Sequence, residues 1–238
     1  MLIDMHAHTS GISWCCRAPA PKILEDTKKV GIDGIILTNH FLDTYLKDGM
    51  TPADLAQKYA EEYYYTRKCG EEMGMKVFFG VEVTMQKHAD EHVLVYGVDP
   101  DFVLQNPELY HMTLAELSHT VHAAGGYLSQ AHPLRSGKNV LMDPALLDGV
   151  EVNSHQLYDG PQYEFLSAYA RTHGLTLTSG GDYHADASRP LCGVHLPDGL
   201  TDSGEIFRYL QTAAEIDLQL QEDHDGPRSR VIFRKEEG

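Results

Sequence analysis

Short apolar runs alternate with helical stretches along nearly the whole chain, and this alternation limits the fold more than any other feature. Leu2–Met5 reads as a first strand. Pro21–Val30 reads as a helix, with Pro in its first turn and Gly31 just past its end. The run "DGIILT" (33–38) is a buried strand, and a long helix is expected over Thr51–Met73, capped by Thr51 and closed by Gly74. Strands are expected over Lys76–Val83, His92–Val98, Tyr127–Ala131, Gly149–Val152 and Leu175–Ser179. Helices are expected over Leu114–Ala124, Pro161–His173 and Gly204–Ala213, and two β-like runs, "EIDLQL" and "RVIF", end the chain. Roughly seven strands with helices between most of them argue for an α/β fold with a mainly parallel sheet. The link from Glu82 to His92 is too short for a crossover helix. Those strands should form a hairpin, and a regular eight-fold barrel is not expected.

Nothing in the 238 residues suggests a repeat, a linker or a break in composition, so a single domain over 1–238 is expected. The formal net charge of −16, from 35 acidic and 19 basic residues, argues against a nucleic-acid partner. No apolar run reaches the roughly 20 residues needed to span a bilayer. Met1–Asp4 carry neither a basic nor a long apolar leader, so a cytoplasmic location is expected. Cys15, Cys16, Cys69 and Cys192 lack framework spacing and should be reduced thiols.

The polar residues carry the functional signal. His6 and His8 follow the first strand, His40 the second, Glu82 closes the third, and His132 follows the fifth. Asn153 follows the sixth, and Asp182 and His184 follow the seventh. His92 begins the fourth strand, which reaches the same rim if it runs antiparallel. The C-terminal rim of parallel strands is where α/β proteins build active sites. Residues i and i+2 of an extended segment point the same way, so His6 and His8 can reach one ion. Imidazole and carboxylate together suit Zn, Mn or Fe. The eight donors exceed the needs of one tetrahedral ion, so two or three divalent ions are expected, with Glu82 as the bridge.

The segments "DMHAHTS", "GIDGIILTNH", "GVEVT", "EHVLVYG", "AHP", "GVEVN" and "GGDYHA" together resemble the PHP (polymerase and histidinol phosphatase) family, in order and over almost the whole chain. The resemblance implies a distorted (β/α)7 TIM-like barrel with two or three metal ions at the strand C-termini. It also implies hydrolysis of phosphoesters, here of a small phosphorylated substrate. Carried over by position, one ion takes His6, His8, Glu82 and Asp182, and a second takes Glu82, His92 and His132. A third takes His40, His184 and a further histidine from the loop after His8. In this chain that loop reads "TSGISWCCRAP" and has no histidine, and Asn39 stands where an aspartate often precedes the motif histidine. The expectation is a two-ion centre with packed cysteines; the alternative is that the thiolate of Cys15 or Cys16 joins His40 and His184.

The implied reaction uses a metal-activated hydroxide. His40 or His184, if free of metal, would protonate the leaving oxygen, and Arg135, with Arg189 as a second candidate, would grip phosphate. The rivals are an amidohydrolase-type hydrolase of C–N or C–O bonds and a non-catalytic metal-stabilised module that binds a partner protein. A binuclear amidohydrolase often uses a bridging lysine at the fourth strand's end, and Lys87 is out of place for that. His119 and His122 are expected on a solvated helix face, and His88, His111, His155, His173, His195 and His224 match no motif position.

Overall fold

The computed structural model describes residues 1–47, 49–85, 91–135, 141–153, 160–222 and 225–235, with the backbone alone for 153, 160 and 161. Lys87, His88, His155 and His224 lie outside these residues, as does the Asn153 side chain. The fold is mixed α/β, with strands in two six-stranded sheets. The first sheet contains β1 (Leu2–Ala7), β2 (Gly34–Leu37), β4 (Lys76–Phe79), β10 (Gly193–His195), β11 (Glu215–Gln221) and β12 (Arg228–Arg234). The second contains β3 (His40–Phe41), β5 (Val81–Thr84), β6 (His92–Tyr96), β7 (Tyr127–Gln130), β8 (Gly149–Asn153) and β9 (Thr176–Gly180).

Helices α1 (Ala20–Lys29), α2 (Pro52–Met73), α3 (Pro100–Gln105), α4 (Leu114–Ala123), α5 (Gly160–His173) and α6 (Ser203–Thr212) connect them. Local chemistry sets their ends. Thr51 and Asp54 form a reciprocal capping box at the start of α2, and Gly74 ends it at φ 68°. Thr113 and Glu116 do the same for α4. Asp99 caps α3, which sequence periodicity did not reveal because it is only six residues long. No helix among the described residues is long and apolar enough to cross a membrane.

The strands of the second sheet run parallel except β6, which is antiparallel to both β5 and β7. The expected hairpin is therefore present, with Thr84 opposite His92. Ile3, Ile35, Val81, Val93, Val95, Val150 and Leu177 are fully buried, which explains why these strands read as continuous apolar runs.

The expected strand Lys76–Val83 is divided. At Gly80 the chain leaves β4 in the first sheet and enters β5 in the second. A Cβ at Gly80 would lie 2.8 Å from Ile36 Cγ2 and 2.9 Å from Thr38 Cγ2, so only glycine allows this close approach. The sheets meet again where Ala7 bridges Tyr183 and the Asp182 amide donates to the His6 carbonyl at 2.9 Å. Among the described residues the strands make no closed ring in their hydrogen-bond order; β10–β12 extend the first sheet instead.

Candidate metal centre

β1 delivers His6 and His8 to a fully buried point, with neither ring exposed to solvent. Each ring is oriented from behind. His6 Nδ1 sits 3.0 Å from both oxygens of Glu151 on β8. His8 Nδ1 donates to Ser13 Oγ at 3.0 Å; that hydroxyl in turn donates to Asn39 Oδ1 at 2.9 Å. Asn39 also accepts from the Thr9 amide and donates to the Thr9 hydroxyl. With both Nδ1 atoms so engaged, both Nε2 atoms carry free lone pairs, and they face one another at 3.0 Å.

Two carboxylate oxygens complete the group. Glu82 Oε2 is 3.3 Å from each Nε2, and Asp182 Oδ1 is 3.4 Å from that of His6 and 2.9 Å from that of His8. Neither oxygen finds a hydrogen-bond partner of acceptable geometry among the described residues. Four such atoms turned toward one another repel unless a proton or a metal cation sits among them. A tetrahedral ion with bonds of about 2.0–2.1 Å sets its ligand atoms about 3.3 Å apart. The donor set therefore fits a divalent metal.

Glu82 faces further imidazoles. Its Oε1 meets His92 Nδ1 at 2.7 Å and His132 Nε2 at 3.0 Å, and its Oε2 lies 2.7 Å from His40 Nδ1. Three donor groups have their atoms within 4.8 Å of one another: His6, His8, Glu82 and Asp182; His40, Glu82 and His92; and His8, His40 and His184. The first is the set expected for one ion. The second brings in His40 where His132 was expected, although His132 also touches Glu82. His184 stacks on His8, with centroids 4.3 Å apart.

The backbone is strained at this point. His132 (φ 28°) and Asp182 (φ 46°) adopt positive φ, as do Leu134 and Ala185. Such conformations cost non-glycine residues on the order of 1–3 kcal/mol each. Here they turn two donors inward at strand ends.

Electrostatics divides the imidazoles. Burial opposes charge on His6, yet Glu151, Glu82 and Asp182 outweigh it and raise its pKa well above the ordinary value. For His8, burial and the neighbouring His184 and His40 lower it well below. His40 is raised to about 10 because Glu82 and Cys15 overcome burial. His184 is raised as well, by Asp182 and Cys15 against burial. Burial brings His132 down to about 4. Glu82 and Asp182 stay well below the usual carboxylate range, since surrounding imidazoles outweigh their burial. Burial opposes ionisation of Cys15, but His184 and His40 bring its thiol down to about 6; burial pushes Cys16 up to about 11.

The arginines separate. Arg135 reaches the centre, its Nη1 2.5 Å from Asp182 Oδ2. Arg189 does not: it is buried, pairs with Asp4 and lies over the Tyr183 ring at 4.8 Å. Asp4 also accepts from the His6 and Gly181 amides, so Arg189 braces the ligand loops rather than offering itself to phosphate. Sequence reading missed Glu151, Asp4 and Ser13. The first two had a signal, a single carboxylate inside an apolar strand ("GVEV", "LIDM"), whereas Ser13 had none. Cys16, Cys69 and Cys192 are buried, as expected of small packing residues, while Cys15 is exposed. His122 is an exposed helix residue, paired with Asp148 at 2.8 Å.

No protein-family model and no curated protein sequence matches the chain. Solved structures do. A Bifidobacterium adolescentis protein, provisionally named a metal-dependent phosphoesterase, aligns with TM-score 0.55 and 19% identity over 87% of this chain and 94% of its own. PsfC from Pseudomonas syringae aligns with TM-score 0.58 and 17% identity over 97% of this chain and 90% of its own. An amidohydrolase from Chromobacterium violaceum aligns at 16% identity over 89% of this chain and 96% of its own, with TM-score 0.49. At these identities the likeness is one of fold: the chain shares its α/β architecture with structures that include a provisionally named metal-dependent hydrolase.

Proposed function

We propose that the chain is a metal-dependent hydrolase of small phosphate esters, built on a distorted (β/α)7 barrel of the PHP type. The observation that carries this reading is the buried quartet of His6, His8, Glu82 and Asp182, in which the imidazole–imidazole and imidazole–carboxylate distances run from 2.9 to 3.4 Å. The barrel reading is supported by the two places where the sheets meet, at Gly80 and at Ala7–Tyr183.

Divalent ions at such a centre supply Lewis acidity and lower the pKa of bound water. The quartet would hold one ion, and Glu82 with His92 and either His40 or His132 would hold another. Glu151 and Ser13 fix the tautomers of His6 and His8. Arg135 lies at the edge of the centre, where its guanidinium can turn two N–H groups to phosphoryl oxygens. His40, charged at neutral pH when free of metal, would hold the proton needed by a leaving oxygen. Beside the centre opens a cleft of about 600 Å³ lined by Trp14, Tyr45, Lys47 and Lys58. Its two lysines outnumber the one carboxylate in its lining, Asp54, and so favour an anionic substrate on a chain with net charge −16.

The test is hydrolysis by protein loaded with Zn, Mn or Fe, on p-nitrophenyl phosphate and a panel of phosphate monoesters beside one of amides and lactones. Metal-dependent phosphate release is expected. Cleavage of amides or lactones alone would replace this reading with the amidohydrolase one. Bound metal with neither activity would favour a non-catalytic module.

A further inference from the structure

Trp14, the only tryptophan in the chain, is 49% exposed although its loop begins at the fully buried His8. The loop is fixed on both sides of it. The Ser13 amide donates to the Thr9 carbonyl at 3.0 Å, the Cys16 amide to the Ser13 carbonyl at 3.0 Å, and the Arg17 amide to the His184 carbonyl at 2.8 Å. Trp14 itself is tied to Tyr45. Its amide donates to the Tyr45 hydroxyl at 3.3 Å, and the two rings stack with centroids 4.4 Å and planes 16° apart. Tyr45 is buried, and its ring also meets that of His40 edge-on, with centroids 6.4 Å apart. One buried ring therefore joins the exposed indole to the mouth of the metal centre.

The indole lines the cleft of about 600 Å³ together with the apolar side chains of Ile12, Met50 and Leu55. The Lys47 ammonium lies over it, its Nζ 3.6 Å from the ring centroid. Lys47 is exposed, and an exposed ammonium on a flexible stem is weakly held by a ring. That contact marks an indole face that a stronger partner entering the cleft can take over. Asp54 does not compete for a ligand, because its carboxylate accepts from the Thr51 amide and hydroxyl in the cap of α2. We propose that the cleft is a recognition subsite for an aromatic ring of the substrate, packed on Trp14. The inference rests on reading the centre as a phosphoesterase and names the class of ester it prefers. Because the Tyr45 ring contacts both Trp14 and His40, the ligand's ring is set off from the ester oxygen by a short spacer. Tyr45 and the loop hold the indole in place beforehand, so little side-chain freedom is lost when a ring stacks on it.

The experiment is binding of 3-phenylpropylphosphonate and 3-cyclohexylpropylphosphonate to the zinc-loaded protein. The two are inert ester analogues of matched reach, and only the first carries an aromatic ring. As the only tryptophan, Trp14 reports the cleft directly through its emission, and calorimetry supplies affinities for the variants. The phenyl analogue should change that emission saturably and bind about fivefold tighter than the cyclohexyl one. Trp14→Ala should erase the preference and Trp14→Phe should keep most of it. Phe165→Ala, which removes an exposed ring on α5, should keep all of it. Equal affinities in the wild type, or a preference that survives in Trp14→Ala, overturns the subsite and leaves the phosphoesterase reading standing. Ring-dependent binding without hydrolysis of the corresponding phosphate esters upholds the subsite and overturns that reading. Binding of neither analogue overturns both.

Discussion

His6 and His8 lie at the bottom of the cluster, fully buried, with each ring's second nitrogen held by Glu151 or Ser13. His40 and His184 lie at its mouth, where His40 is 13% exposed and faces the solvent-exposed Cys15. The inner donors are set by the strands and their neighbours before any ion arrives. Of the outer donors, His40 opens the two-residue strand β3 and His184 lies in a loop, their ring centroids 5.8 Å apart. Preorganisation therefore declines from the sheet outward, and metal affinity should decline with it.

The largest expected effect comes from the residue shared by both halves. Glu82→Gln removes the one charge that faces His6, His8, His40, His92 and His132. It should abolish tight binding of the inner ions and lower metal-dependent turnover by well over the roughly 100-fold expected for an outer partner. The metal-free protein should also lose about 3–5 kcal/mol, because buried imidazolium is left uncompensated. Elemental analysis and thermal melts of the apo form check both; full metal content in Glu82→Gln would erase the distinction between halves.

Next comes Glu151→Gln, which leaves every donor atom in place but loosens His6. A drop of about 10–100-fold in metal affinity is expected. Gly180→Ala should do similar damage by contact, since its Cβ would sit 2.1 Å from Glu151 Oε1 and 2.6 Å from His6 Cβ. Competition titrations with a chromogenic chelator read both variants. An affinity unchanged by Glu151→Gln would mean that β1 alone orients the ring.

Proton linkage sharpens the comparison further. His6, His40 and His184 have raised pKa values, whereas His8 and His132 are lowered. A raised imidazole pKa means that an incoming ion must expel a proton at neutral pH. Metal affinity should therefore rise with pH and level off only near 10, where His40 titrates. Calorimetry in buffers of different ionisation enthalpy should detect proton release on metal binding at pH 7. Heats independent of buffer would contradict this picture. The smallest effect is expected for Arg230→Ala. Its pairing with Asp217 is exposed on the β11–β12 hairpin, so metal content and melting temperature should stay unchanged.

Much of this site was legible in the sequence, because a strand end fixes where a side chain emerges. His6, His8, His40, Glu82, His92, His132, Asp182 and His184 all stand at one rim, and they do gather there. The reversed direction of β6 followed from a short link alone. What the sequence hid were contacts between distant segments. Glu151 lies 145 residues from the ring it orients, and Arg189 lies 185 residues from its partner Asp4. An arginine after a ligand motif looks the same whether it will face phosphate or a buried aspartate.

The residue pattern by itself determined the α/β class, the rim that carries the donors and the chemistry those donors favour. These follow from local periodicity and from the side-chain types at each strand end. Only the tertiary structure decided how the donors group, that the strands divide into two sheets at Gly80, and that Cys15 rather than Cys16 faces the histidines. Adjacent cysteines are equivalent in a sequence. The hydrogen bonds of their loop turn one sulfur inward to backbone carbonyls and the other toward His40 and His184.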